Sequence, residues 1–131
     1  MEQVKENLIK EKSFLFAVRI VKLRRYLNQR HKEYTLSEQI LRSGTSIGAN
    51  VSEAEYAQSR ADFVNKMSVA LKEANETQYW LKLLSKGEYL DETQFQSLHN
   101  DCKELLSMLH AIVKTTKDKK GQGSVKPKIR N

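Results

Sequence analysis

Arg42-Ser43-Gly44-Thr45-Ser46-Ile47-Gly48-Ala49-Asn50-Val51-Ser52-Glu53-Ala54 is a run of small side chains that carries a helical stripe. Leu36, Ile40, Ser43, Ile47, Val51 and Ala54 follow one another in steps of three and four, which sets them on one face of a helix. Glycine and serine are poor helix formers, and each interior glycine costs about 1 kcal/mol against alanine. Something must offset that cost. Gly44 and Gly48 stand about one turn apart and open a trough into which a neighbouring backbone or bulky side chain can settle. The stretch predicts close helix packing. It lacks the Gly-Lys-Ser/Thr sequence and the preceding strand of a phosphate-binding loop, so nucleotide binding is not expected.

Around this stretch, punctuation is sparse. The 131 residues hold one proline, Pro127, and five glycines, which favours long helices over a turn-rich β-fold. With 39% hydrophobic and 30% charged residues, the composition is that of one globular domain with a real core. No segment offers the roughly 20 apolar residues of a membrane span, and Met1-Glu2-Gln3-Val4-Lys5 begins no signal peptide. A cytoplasmic protein without membrane partners is expected. Cys102 is the single cysteine and has no partner for an internal disulfide.

Periodicity and start signals predict four helices, at about 5–31, 36–57, 60–86 and 92–116. Thr35 with Glu38 reads as a reciprocal cap for the second, Ser59 with Asp62 starts the third, and Asp91 with Gln94 starts the fourth. Gly87 is the expected stop of the third. The third helix lines up Phe63, Met67, Ala70, Ala74, Thr77, Leu81 and Leu84, and the fourth lines up Phe95, Leu98, Cys102, Leu105, Leu109 and Ile112. A mean step of 3.5 residues and short loops predict an all-α fold, an antiparallel, up-down, left-handed four-helix bundle over residues 1–116. Residues 117–131 read as a flexible basic tail.

A lone bundle needs one apolar stripe per helix. The first helix has two, Phe16, Ile20, Leu23 and Leu27 on one side and Phe14, Ala17, Val18 and Val21 nearly opposite. The third adds Val69, Trp80 and Leu83 away from its main seam. A helix apolar on two sides is either deeply buried or shared between molecules. A four-helix bundle has no deep helix, so a homo-oligomer is expected.

Three segments agree in order and spacing with a known family: Ser13-Phe14-x-Phe16-Ala17-x-Arg19-Ile20-Val21-x-Leu23; Leu41 through Val51 followed by Glu53-Ala54; and Asp62-Phe63 with Lys72-Glu73-Ala74-x-Glu76-Thr77-x-Tyr79-Trp80-Leu81. Over roughly residues 13–113 the chain resembles the four-helix bundle proteins encoded in intervening sequences of bacterial large-subunit (23S) ribosomal RNA genes. The resemblance implies a small bacterial protein that assembles into a homopentameric ring or barrel. The fold is also similar to the accessory variability determinant protein of diversity-generating retroelements. That similarity implies a nucleic-acid-binding basic surface and a protein partner such as a reverse transcriptase.

The net charge of +7 is unevenly placed. Lys114, Lys117, Lys119, Lys120, Lys126, Lys128 and Arg130, against Asp118 alone, give the C-terminal stretch +6 and leave +1 on the rest. Within the rest, Arg19, Lys22, Arg24, Arg25, Arg30 and Lys32 form a basic segment without an acid among them. Both segments are candidate contacts for RNA or DNA phosphates, and both read equally as solvated surface. On the first helix, Arg19, Lys22 and Arg30 share a flank with Tyr26, while Arg24 and Arg25 point elsewhere.

Arg42, Asn50, Glu53, Glu73, Glu76 and Trp80 lie off the main seams. With Phe14, Val18, Gly44, Gly48 and Val69 they are the candidate helix-packing or subunit-interface residues. Glu73 and Glu76 share a face where they could receive Arg42 within the chain or across subunits; paired carboxylates could otherwise serve acid–base or metal chemistry. His99 and Cys102 are three apart, but Cys102 belongs to the apolar stripe and His110 is eight residues further on, so no metal site or cofactor is expected. No Ser, His and Asp combination suggests a nucleophile. The expected function is a non-enzymatic oligomeric scaffold that binds nucleic acid or a nucleic-acid-handling partner, or else a purely structural or protein-interaction bundle.

Overall fold

In the computed structural model, which describes residues 2–121 and the side chains of residues 3–118, four α-helices follow one another: α1 (Glu2–His31), α2 (Leu36–Ala54), α3 (Arg60–Lys86) and α4 (Glu92–Gly121). Each helix packs on two others. α1 touches α2 and α4, α3 touches α2 and α4, and the α1–α3 and α2–α4 pairs stand on diagonals. Lys10 reaches Glu55 and Arg24 reaches Glu38, so the early turns of α1 lie beside the end of α2.

The helix ends show which local interactions stop and start the chain. α1 closes with Lys32 at φ 54°, and the Glu33 N–H donates to the Leu27 carbonyl at 3.1 Å. The expected Thr35 cap of α2 is replaced. Thr35 already has helical backbone angles and its hydroxyl makes no capping bond. Instead the Glu33 carboxylate accepts from the backbone N–H groups of Thr35, Leu36 and Ser37 at 3.1, 2.8 and 2.8 Å. Two charged oxygens can satisfy three donors at the positive end of a helix, which one hydroxyl cannot. α2 ends at Ala54 rather than near 57, because the N–H groups of Glu55, Tyr56 and Ala57 turn back to carbonyls three residues earlier.

The Ser59 oxygen accepts from the Asp62 N–H at 3.0 Å, and the Asp62 carboxylate accepts from the Gln58 N–H at 3.2 Å. At the start of α4, Asp91 and Gln94 cap each other reciprocally, at 2.7 and 2.9 Å. Gly87 ends α3 but does not supply the left-handed residue. Glu88 does, at φ 71°, with its N–H on the Ser85 carbonyl and the Tyr89 N–H on that of Leu84. α4 continues through Gly121, past the expected end at 116. Thr116 is still buried and its hydroxyl bonds the Ile112 carbonyl, so the packed face carries the helix onward. Residues 122–131, the remainder of the expected tail, lie outside the described residues.

The core is the set of aligned stripes. Ile20 and Leu27 of α1, Ile40 and Ile47 of α2, Phe63 and Leu81 of α3, and Leu105 and Leu109 of α4 are all buried. Hydroxyls and the thiol in this core find partners. Ser43 and Thr77 pair at 2.9 Å between α2 and α3, and the Cys102 thiol meets the Ala74 carbonyl at 3.3 Å.

The small-residue stretch of α2 does what its composition requires. A methyl group on Gly44 would sit 2.8 and 2.9 Å from two carbons of Ile20, and one on Gly48 would sit 3.2 Å from the Ser13 backbone oxygen. One glycine admits a bulky side chain of α1, and the other admits its backbone. Ile20 is fully buried and cannot swing away. Gly44→Ala should therefore destabilise the protein by about 1–3 kcal/mol through overpacking, despite a gain of about 1 kcal/mol in helix propensity. In an Ile20→Ala background the same change should be stabilising. Urea denaturation of the four members of this cycle measures the reversal.

Candidate assembly face and nucleic-acid interface

Because Phe16, Ile20, Leu23 and Leu27 are held inward, the opposite side of α1 must face outward. Phe14 is 67% exposed, Leu15 56%, Val21 42% and Val18 36%. Beside them, a groove of about 820 Å³ runs between α1 and α2, lined by Phe14, Leu15, Ala17, Thr45, Gly48 and Ala49 among others. Its depth follows from the missing side chains of α2. The outer side of α3 has a smaller apolar surface: Tyr79 and Leu83 are exposed, while Trp80 and Val69 are half-buried. α1 and α3 occupy diagonal corners, so these two unlike surfaces belong to helices that do not touch.

Four of the off-seam residues come together within the chain. Arg42 Nη1 donates to Glu73 at 3.2 Å, its Nη2 donates to Glu76, and the Trp80 indole N–H donates to the same Glu76 oxygen at 3.0 Å. The cluster ties α2 to α3. Asn50 and Glu53 are not in it: the Asn50 amide bonds the Ser46 carbonyl, and Glu53 pairs with Lys66 at 3.4 Å.

The basic residues divide by what surrounds them. Arg19 clamps α1 to α4, with one nitrogen 2.7 Å from the Asp101 carboxylate and another 2.9 Å from the Ser97 hydroxyl. Arg24 is paired with Glu38 at 2.9 Å, and the Lys32 ammonium bonds the Gln29 carbonyl. Lys22, Arg25 and Arg30 are exposed and have no carboxylate within 4 Å among the described residues. At the other end of the chain, Lys114 and Lys117 are exposed on α4, and Lys119 and Lys120 follow on its backbone. Lys126, Lys128 and Arg130 lie outside the described residues.

His99 and Cys102 do not form a ligand pair. His99 stacks on Phe95 with ring centroids 4.8 Å apart, while Cys102 is buried against α3 and its thiol is pushed up to about 12 by desolvation. Among the described residues, no three His, Cys, Asp or Glu side chains converge as metal ligands.

Periodicity gave no reason to join His31 to Tyr89, yet the two rings meet. Tyr26, His31 and Tyr89 form a train at the end of the bundle, with centroids 5.3 Å apart at both steps. The signal in the sequence was the alternation of cations and rings in Arg25-Tyr26, Arg30-His31-Lys32 and Tyr34.

Residues 5–111 match the family model described as 23S rRNA-intervening sequence protein. The chain belongs to that family. A solved structure from the S23 ribosomal protein family, a Bacteroides thetaiotaomicron protein of unknown function, is 57% identical with a TM-score of 0.83; the match covers 84% of this chain and 98% of that one. No curated protein matches the chain.

The stretch this intervening-sequence protein shares with its family takes in the outward face of α1, the glycine trough and the Arg42 cluster, and stops before the C-terminal cations. No described helix is long and apolar enough to cross a membrane. His99 is where pH acts most plainly. Burial lowers its pKa from 6.5, Lys103 and Lys82 lower it further, and the buried Nε2 has no hydrogen-bond partner. Its neutral form therefore contributes stability that is fully present above about pH 6.5 and is lost as pH falls through the lower folded value. Urea midpoints should drop between pH 7 and 5.5, and His99→Leu should reduce that drop.

Proposed function

We propose that this protein is a non-enzymatic helical scaffold, an antiparallel left-handed bundle that assembles with copies of itself into a ring and offers basic surface to nucleic acid. The observation that carries the reading is the second apolar side of α1. Full burial of such a side chain is worth about 1.5–3 kcal/mol. Phe14, Leu15, Val18 and Val21 are already partly covered, so together they would contribute roughly 3–6 kcal/mol gross. Association itself costs about 4–15 kcal/mol, so the partner must bring apolar surface of its own. The outer side of α3 can supply it. A contact between two unlike surfaces of a protomer is head-to-tail, and repetition closes such a contact into a ring when the rotation between neighbours divides a full turn. The family resemblance supports five subunits.

Nucleic-acid contact is supported by Lys22, Arg25 and Arg30, which have no carboxylate within 4 Å among the described residues. The purely structural alternative is favoured by Arg19 and Arg24, which are engaged in holding α1 to α4 and α2. No catalytic role is assigned: Cys102 is buried as a thiol, and the Glu73–Glu76 pair is engaged with Arg42.

Sedimentation equilibrium tests assembly. The wild type should be oligomeric at tens of micromolar, Phe14→Glu/Val18→Glu and Tyr79→Glu/Leu83→Glu should each be monomeric with unchanged helicity, and the mixed variants should form a 1:1 dimer through the one intact contact. A monomeric wild type contradicts assembly, and an α3 variant that still dimerises contradicts the head-to-tail contact. A second titration, of duplex DNA at two salt concentrations, tests the surface. Lys22→Ala/Arg25→Ala/Arg30→Ala should reduce the slope of log affinity against log salt by about 2–3; an unchanged slope favours the structural alternative.

A further inference from the structure

We propose that the end of the bundle where α1 and α3 finish is a stacking site for unpaired bases of a single-stranded nucleic acid, a proposal that rests on the nucleic-acid reading above and specifies its ligand. His31 stands between Tyr26 and Tyr89, its plane turned by 72° and 84° from theirs. The Tyr26 hydroxyl lies 3.3 Å from His31 Nε2, and Tyr89 is anchored by its N–H bond to the Leu84 carbonyl at 2.9 Å. In an edge-to-face pair one ring's edge meets one face of the other, so a single contact covers a single ring face; Tyr26 and Tyr89 are half-buried against the core and brace the outer ring of the train. His31 is exposed, and Tyr34, three residues on, is 60% exposed.

The charges around these rings suit a phosphate backbone. Lys22 and Arg30 lie four residues to either side of Tyr26, about 6 Å along the helix axis each way, and Arg25 adjoins it. Most of the nearby carboxylates are engaged elsewhere. Glu33 caps α2, Glu38 pairs with Arg24, and Asp91 caps α4. Glu88 and Glu92 stay exposed on the side of the α3–α4 turn, so the positive field belongs to the α1 flank. A strand laid along that flank places its phosphates over Lys22 and Arg30, with Arg25 further round the helix, and turns its bases toward the rings. Duplexes bury their base faces, so they gain the charge contacts but not the stacking. An acidic protein segment would likewise use the cations and ignore the rings.

Fluorescence anisotropy with the full chain separates these cases. The probes are an oligouridine RNA, an oligothymidine DNA, an abasic sugar–phosphate strand and a DNA duplex, all of one length. Base-bearing single strands should bind about tenfold or more tighter than the abasic strand. Tyr34→Leu, in an exposed turn, and Tyr26→Leu should each weaken single-strand binding about tenfold and leave duplex affinity and its salt slope unchanged. A gain confined to uridine assigns the ligand to RNA, one confined to thymidine assigns it to DNA, and all such gains uphold stacking. Equal binding of base-bearing and abasic strands, or a Tyr34→Leu protein that binds like its parent, overturns stacking and leaves backbone contact standing. Absence of binding to every strand removes both readings.

Discussion

The close approach of α1 to α2 at Gly44 and Gly48 sets the rest of the molecule. Where the Ser13 carbonyl and the Ile20 side chain occupy the spaces left by two missing methyl groups, α1 can neither roll nor slide without a clash. That lock fixes the rotation of a helix that is apolar on two sides. Had the trough been filled, α1 would have stood further off, and either of its stripes could have turned toward the core. As built, Ile9, Phe16, Ile20, Leu23 and Leu27 are inside and Phe14, Leu15, Val18 and Val21 are outside.

Much of this was legible in the sequence because it followed from spacing alone. The stripe Phe63 to Leu84 and the glycine trough repeat with the period of a helix, and the geometry of a helix turns that period into a buried face. Caps were legible where the side chain acts on its own start, as with Asp91 and Gln94. They were not legible where a competitor entered from before the helix, as when Glu33 displaced Thr35 from the start of α2. Glu88 shows the same limit: a left-handed turn residue is recognisable when it is glycine, and here the chain places glutamate one position beyond it.

The candidate site was less legible, since it depends on which charges neutralise one another. The six cations between Arg19 and Lys32 look alike in sequence. Arg19 and Arg24 are distinguished from Lys22, Arg25 and Arg30 only by Asp101 on α4 and Glu38 on α2, one of them about eighty residues away in the chain. The Arg42 cluster was foreseeable because Glu73 and Glu76 share a face. The meeting of His31 with Tyr89 was not, because it joins the end of one helix to a turn between two others. What unites these features is that packing holds the chain's own shape with few of its surface groups, leaving an apolar flank and a basic flank of α1 unengaged.

The central claim is that the outward flank of α1 is covered by another copy of the protein. Val18→Cys places a thiol in that flank, and Cys102, buried and held protonated, does not compete for an aqueous thiol reagent. The rate of labelling should fall as protein concentration rises through the micromolar range. A rate that is the same at every concentration, as fast as that of an exposed thiol, would contradict it.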